Sequence, residues 1–245
     1  MLPAGYRTYA VGSALLVTQP EFFHFARNAM HSHDTLYAYA ATRPDAHALQ
    51  GRGTTYRINT PHGEWVVRRY RRGGAVATLL GDRYLRLGAP RPLRELSVSV
   101  AARERGVRTP EIVAVGVHPT RWFLRADLAT RYVPNSEDLA QLGFGPSDRS
   151  ASERRAGFEA AGRLVDELER AGLAHADLNL KNILIGFDAA GPEAWVLDLD
   201  RAHIGRVSAR SMRARLERSV VKWERLTSRT LDPELRAALL ARPGG

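Results

Sequence analysis

The sequence contains no cysteine. That excludes disulfides, thiolate metal sites and thiol catalysis, and it is compatible with the cytosol. No apolar run approaches the roughly 20 residues needed to span a bilayer. The best N-terminal candidate for a leader, "AVGSALLV" at 10–17, is short and is followed by Gln19, Pro20 and Glu21. A buried strand is therefore expected there in place of a signal peptide. Internal repeats and low-complexity linkers are absent as well, which sets aside solenoids and tail-like segments. Disorder is also excluded, since 44% of residues are hydrophobic and 25% charged, the balance of an ordinary globular protein. The 245 residues are enough for one or two domains with a real core.

Acid is in short supply: 26 Asp and Glu stand against 36 Lys and Arg, a formal net charge of +10. Such an excess points to an anionic partner, whether nucleic acid, an anionic membrane surface or a phosphorylated substrate. Arginine dominates the excess, which favours bidentate contacts to phosphate or carboxylate.

Periodicity supplies the organisation. Residues 1–48 yield least, because Phe22, Phe23, His24, Phe25, His31 and His33 mix there with turn residues. From Gly51 onward "TTYRI", "EWVVRRY" and "IVAVGV" read as strands, with "NTPHG" as a turn. "PLRELSVSVAARERG" sets Leu93, Leu96, Val100 and Ala101 along one face and stops at Gly106, as an amphipathic helix does. "RWFLRADLATRYV" reads as extended and ends at Pro134. Ser152 is then the expected N-cap of a helix carrying Phe158, Ala161, Leu164, Val165 and Leu168, with Gly172 as its stop. "NILIG" and "WVLDLD" read as strands flanking the turn "FDAAGPEA". A last helix over 207–226 places Met212, Leu216, Val220 and Trp223 together, with Arg213, Arg215, Arg218, Lys222 and Arg225 mostly off that face. A strand-rich half precedes a helix-rich half. The expected class is α+β in two lobes, residues 1–133 and 134–245.

Chemistry concentrates in "HADLNLKNILIG" and "WVLDLD". His175, Asp177 and Asn182 follow H-x-D-x-x-x-x-N, and Asp198 opens the "DLD" expected to end the next strand. Phosphoryl transfer requires a carboxylate to accept or orient the proton of the attacking hydroxyl, together with oxygen ligands for Mg²⁺. Asp177 suits the first task, Asn182 and Asp198 the second. The plainer account makes Asp177, Asn179 and Asn182 turn formers between helix and strand. Upstream, Gly51 and Gly53 in "GRGTTYRI" would let backbone N–H groups approach phosphates. Arg68 would supply a phosphate-binding cation, and Glu95 on the following helix its ion-pair partner. Lys181 is placed to reach the transferred phosphoryl group, or to sit solvated in the loop.

The ordered set of glycine loop, cation, helical Glu, H-x-D-x-x-x-x-N and Asp resembles the protein-kinase-like fold, with Arg68 where lysine is usual. Within that fold "GRGTTY", "RRYRRGG", "DRYL", "RELSV", "RERGVRTPEIVAVGV", "RADLATRYVPNSEDLAQL", "HADLNLKNILI" and "WVLDLDRA" resemble the bacterial 3-deoxy-D-manno-octulosonic acid (Kdo) kinases of lipopolysaccharide biosynthesis. The likeness runs from about Gly51 to Arg201 and extends to the arginine at 68. Departures are Arg69 and Lys181, where that family often has histidine, and Leu199, where it has Phe.

The resemblance implies a two-lobed kinase, an antiparallel sheet with one main helix followed by a helical lobe. It implies transfer of the ATP γ-phosphate to the 4-OH of Kdo on lipid A, at the cytoplasmic face of the inner membrane. On it, Asp177 is the base or orienting group, Asn182 and Asp198 hold Mg²⁺, Arg68 binds ATP phosphates and is fixed by Glu95, Gly51 and Gly53 cover the phosphates, and residues near Arg131 to Val133 present backbone to adenine. The anionic glycolipid and membrane would also account for the basic run of Arg69, Arg71, Arg72, Arg83 and Arg86. No nucleic-acid partner is expected. The rivals are a heptose, aminoglycoside or choline-type kinase of the same fold, and a basic pseudokinase-like binding module.

Overall fold

The structure, a computed structural model, describes residues 2–49, 54–70, 84–85, 91–119 and 123–241. Gly51 and Gly53, and with them Arg71, Arg72, Arg83 and Arg86 of the basic run, lie outside the described residues. The chain divides into two compact units, Met1–Ser97 with Glu111–Tyr132, and Val98–Pro110 with Val133–Gly245. This differs from one cut near 133–136 because Val98, Ala102 and Val107 pack into the core of the second unit.

The first unit is built on an antiparallel sheet. Its strands are β1 (Arg7–Val11), β2 (Ala14–Thr18), β3 (His47–Leu49), β4 (Thr55–Thr60), β5 (Gly63–Arg69), β6 (Tyr84–Leu85), β7 (Ile112–Pro119) and β8 (Phe123–Arg131). The order across the sheet is β1-β2-β7-β8-β5-β4-β3, with β6 also on β8. The strands expected from "TTYRI", "EWVVRRY", "IVAVGV" and "RWFLRADLATRYV" are all present. "AVGSALLV" is two strands, not one, because Gly12 and Ser13 turn the chain between β1 and β2. The unreadable first 48 residues also hold helices α1 (Phe23–His33) and α2 (Leu36–Thr42). Their aromatics are core: Phe22 and Phe25 meet Trp65 edge-on at centroid distances of 5.7 and 5.1 Å. Aromatic edges prefer this geometry, and it seals one face of the sheet.

Along β5 that face takes Trp65 and Val67, both buried. Strand periodicity then turns Arg68 to the other face. There it meets α3 (Arg91–Glu104), the expected amphipathic helix.

The second unit has a three-stranded sheet in the order β12 (Gly191–Val196), β11 (Ile183–Asp188), β9 (Ser136–Asp138), and a pair of β10 (Leu173–His175) with β13 (Ala202–Ile204). The β11–β12 turn is only Ala189 and Ala190, so both strands run into what reads as turn sequence. Helices are α4 (Leu139–Phe144), α5 (Ala151–Arg170), α6 (Ala209–Thr227) and α7 (Pro233–Leu240). Helix α5 is capped by Ser150, two residues before the expected Ser152. The Ser150 side chain accepts from Glu153 N while the Glu153 side chain accepts from Ser150 N, a reciprocal box that satisfies two helix-end donors at once. The helix buries Phe158, Ala161, Leu164, Val165 and Leu168 as expected, and it ends at Gly172, whose φ of 65° places it in the left-handed region. Arg213 departs from expectation: it is buried on α6 and its Nη2 donates to Asp166 on α5 at 2.7 Å.

Gly162 shows how closely α5 and α7 pack. A Cβ there would lie 2.8 Å from the carbonyl oxygen of Ala238 and 3.2 Å from that of Leu239. Overpacking of this kind costs about 1–3 kcal/mol, against about 1 kcal/mol gained by alanine's helix propensity. Gly162→Ala should therefore lower stability by about 1 kcal/mol, read as a lower urea midpoint at unchanged slope. An unchanged or raised midpoint would show that α7 withdraws freely.

Candidate active site

In the second unit "HADLNLKN" leaves β10 and forms a loop closed by a 3-10 turn, Leu180–Asn182. Leu178 and Leu180 are buried and peg the loop to the core, while Asp177 and Lys181 on either side of them are exposed. The Asp177 carbonyl accepts two amide donors, Asn179 Nδ2 at 2.8 Å and Asn182 Nδ2 at 2.9 Å. Asn179 Oδ1 accepts from Lys181 N at 3.0 Å, and Leu180 N donates to Ser219 Oγ on α6 at 3.2 Å. These bonds fix the backbone of Asp177 and leave its carboxylate without a partner among the described residues.

Asp198 is brought to the same place by the peptide before it. Leu197 N donates to Asn182 O at 2.9 Å, and Leu197 O lies 3.0 Å from His175 Nε2. Asp177 N donates to His175 Nδ1 at 3.3 Å, so the proton of the neutral ring sits on Nε2 and is donated to Leu197 O. His175 thus ties the residue before Asp198 to the loop of Asp177. Asp198 does not end a strand as expected: β12 stops at Val196, and Asp198 is left-handed at φ 58°, ψ 63°. Backbone in that region is uncommon outside glycine and concentrates at functional sites.

The residues present suit a magnesium ion. Asn182 spends Nδ2 on Asp177 O, which leaves Oδ1 without a partner among the described residues, and the Asp198 carboxylate is likewise unengaged. Both offer oxygen only, the donor set of Mg²⁺.

In the first unit Arg68 Nη2 donates to both Glu95 oxygens, at 2.6 and 2.7 Å. Glu95 is only 4% exposed, and the Arg68 guanidinium lies over the Tyr70 ring at 5.2 Å. The expected pair therefore forms. Arg131 is occupied: its N donates to Glu111 O, Nε to Glu111 Oε2 and Nη1 to His62 O. Val133 O accepts from Ser136 Oγ at 2.6 Å.

Residues 44–232 match the model of the lipopolysaccharide kinase (Kdo/WaaP) family. The chain belongs to that family. Relatives named 3-deoxy-D-manno-octulosonic acid kinase include one from Xanthomonas campestris pv. campestris strain B100, 36% identical over 70% of this chain and 68% of its own. Another, from Stenotrophomonas maltophilia strain K279a, is 35% identical over the same shares. A solved structure titled WaaP in complex with acyl carrier protein has a TM-score of 0.51 at 20% identity, covering 93% of this chain and 89% of that one. That likeness is one of fold, the mixed α and β kinase fold. The protein is accordingly a phosphotransferase acting on a hydroxyl group.

Lys181 of this lipopolysaccharide kinase donates to Asp138 Oδ2 at 3.0 Å and lies over Trp223 at 5.5 Å. It reaches a phosphoryl group only by leaving Asp138. His175 stands in the pattern without an expected role, Asn179 makes the turn bonds expected of a turn former, and Ser219 carries no signal in the sequence.

Burial pushes the His175 imidazole below the ordinary histidine range, while the Leu197 carbonyl and the carboxylates of Asp198, Asp177 and Asp200 pull the other way. A depressed folded-state value means that the unfolded chain takes up a proton first as pH falls below about 6.5. The stability that His175 contributes is therefore full above that pH and declines below it, by at most about 1.4 kcal/mol per pH unit. The difference in unfolding free energy between wild type and His175→Asn should narrow from pH 7.5 to pH 5. A constant difference would show that the ring is not held neutral.

Proposed function

We propose that this kinase transfers the γ-phosphate of ATP to the 4-OH of a Kdo residue on lipid A, working peripherally at the cytoplasmic face of the inner membrane. The observation that carries the reading is the Asp177 carboxylate, without a partner among the described residues, on a loop that His175 and Asn182 tie to the peptide before Asp198. The names of the relatives support Kdo as the acceptor sugar.

The acceptor oxygen bonds to the γ-phosphorus, the bond from that phosphorus to the bridging oxygen of ADP breaks, and the hydroxyl proton passes to the Asp177 carboxylate. Asn182 and Asp198 hold Mg²⁺, which supplies positive charge against the phosphate oxygens. Arg68, held by Glu95, binds ATP phosphates as a planar cation that keeps its charge at any working pH. Gly51 and Gly53 cover the phosphates. Arg131 to Val133 present backbone to adenine, and of their amides Val133 N is the one without an acceptor among the described residues. Lys181 joins the transferred phosphoryl group once Asp138 releases it. Among the described residues no helix is long and apolar enough to cross a membrane, and a peripheral mode needs none.

The test is to incubate the protein with Mg-ATP and, separately, Kdo-lipid A, heptosylated core and an aminoglycoside, and to weigh the products. One added phosphate on the Kdo acceptor is expected. Phosphate on another acceptor alone would sink the assignment. Asp177→Asn should lower kcat roughly 10²-fold or more, and full activity in that variant would remove the carboxylate from the mechanism. Asp198→Asn should instead raise the magnesium concentration needed for half-maximal rate, because a neutral amide replaces an anionic ligand. An unchanged magnesium requirement would place the metal elsewhere.

A further inference from the structure

Helix α6 carries two surfaces. Met212, Leu216 and Val220 are buried in the core of the second unit. At about 100° per residue, Arg210, Arg215, Arg218, Lys222 and Arg225 fall together within about 140° of the circumference, on the side away from those three. Arg210, Arg218, Lys222 and Arg225 are exposed and Arg215 is partly so. Arg215 donates to Ser211 Oγ one turn back at 2.7 Å, and none of the five forms an ion pair among the described residues. The only acids of the helix, Glu217 and Glu224, lie outside this sector, and both are engaged by Arg236 of α7. Leu226, 65% exposed, borders the sector beside Lys222 and Arg225.

A run of cations is usually only a solvated face, but solvation gives no reason for both acids of the helix to be excluded from it. Nor does it call for an exposed leucine at its edge. Anionic lipid does both, since cations gather at the headgroups and an apolar side chain enters the boundary beneath them. Single-stranded nucleic acid would need aromatic platforms among the cations. The one aromatic residue of α6, Trp223, is stacked on Phe144 at 6.1 Å instead. Ser219, on the same edge of the helix as Leu226, accepts from Leu180 N of the catalytic loop at 3.2 Å.

We infer that the cationic face of α6 docks this kinase on an anionic lipid bilayer and so holds the loop of Asp177 close to the lipid surface. The inference takes from the proposed function only that the acceptor resides in such a bilayer.

The experiment is sedimentation of the full chain with vesicles of phosphatidylethanolamine containing one-third phosphatidylglycerol, and with neutral phosphatidylcholine vesicles, without ATP or acceptor. Wild type should bind the anionic vesicles, lose binding as salt rises, and ignore the neutral ones. Joint replacement Arg210→Glu, Arg218→Glu and Arg225→Glu should weaken partitioning roughly 100-fold or more, while the matching Arg→Lys set stays within about twofold of wild type. Both sets should unfold like wild type and keep activity on detergent-dispersed acceptor. Wild-type vesicle binding by the Glu set would overturn the inference. So would binding of wild type to a single-stranded oligonucleotide in preference to the vesicles at equal salt. Because vesicle binding is read without catalysis, a wrong acceptor assignment leaves its outcome unaffected.

Discussion

Leu197 contributes no reactive side chain, yet both polar groups of its peptide linkages are committed, N–H to Asn182 O and C=O to His175 Nε2. On one side of it stands the loop of Asp177, and directly after it stands Asp198. A candidate base and a candidate metal ligand in loops that follow different strands would otherwise depend on the general rigidity of the core for their spacing. Here two hydrogen bonds set it. The other ring nitrogen sets the charge state: Nδ1 accepts from Asp177 N only while the ring is neutral, since a proton on Nδ1 would face that donor. Burial supplies that condition, and the three nearby aspartates oppose it without being the larger influence. The left-handed backbone of Asp198 is then held between the hydrogen-bonded Leu197 and the buried Leu199, which is how a residue persists in a sparsely populated region.

Arg68 and Glu95 raise a different electrostatic problem. A carboxylate that is 4% exposed has lost most of its hydration, and a buried charge is tolerated only while its partner and hydrogen bonds remain. Arg68 meets both Glu95 oxygens through one terminal nitrogen. A lysine ammonium would neutralise the carboxylate as a point charge but would lack the planar guanidinium that lies over Tyr70. Arginine at this position is thus a change of geometry within a retained charge.

Much of this was legible in the sequence because it is local. Several strands of the first unit are β-branched runs beside turn residues, and α5 and α6 keep their apolar residues at helical spacing. The pairing of Arg68 with Glu95 followed from the order of motifs alone. What stayed hidden was set by tertiary partners. The first 48 residues set Phe22, Phe23 and Phe25 almost side by side, and only tertiary partners sort them: Phe22 and Phe25 meet Trp65 on the sheet while Phe23 stacks on Tyr9. Arg213 reads as a surface cation until Asp166 on a separate helix buries it. The cap of α5 was two residues early because Ser150 and Ser152 are equivalent as cap residues, and only Ser150 has Glu153 three positions on. Asp198 reads as the end of a strand, and nothing in an apolar run announces that the chain turns left-handed there.

Net charge was the least informative quantity until the pairs were placed. Arg108 is matched with Glu193, Arg131 with Glu111, Arg149 with Glu137 and Glu153, and Arg213 with Asp166. Each such pair takes an acid out of the surface potential along with a base, so the excess is felt where acids are missing. On α6 the two acids are drawn to Arg236 of the neighbouring helix, which leaves one side of α6 with cations alone. A surface ion pair contributes little to stability, about 0–1 kcal/mol, so Glu217 and Glu224 could be spared from that side at small cost to the fold. The bonds that hold α6 to Asp166 and to the catalytic loop come from other residues, Arg213 and Ser219. The packing of the helix and the charge of its outer face are therefore set by separate side chains, and one can be altered without the other.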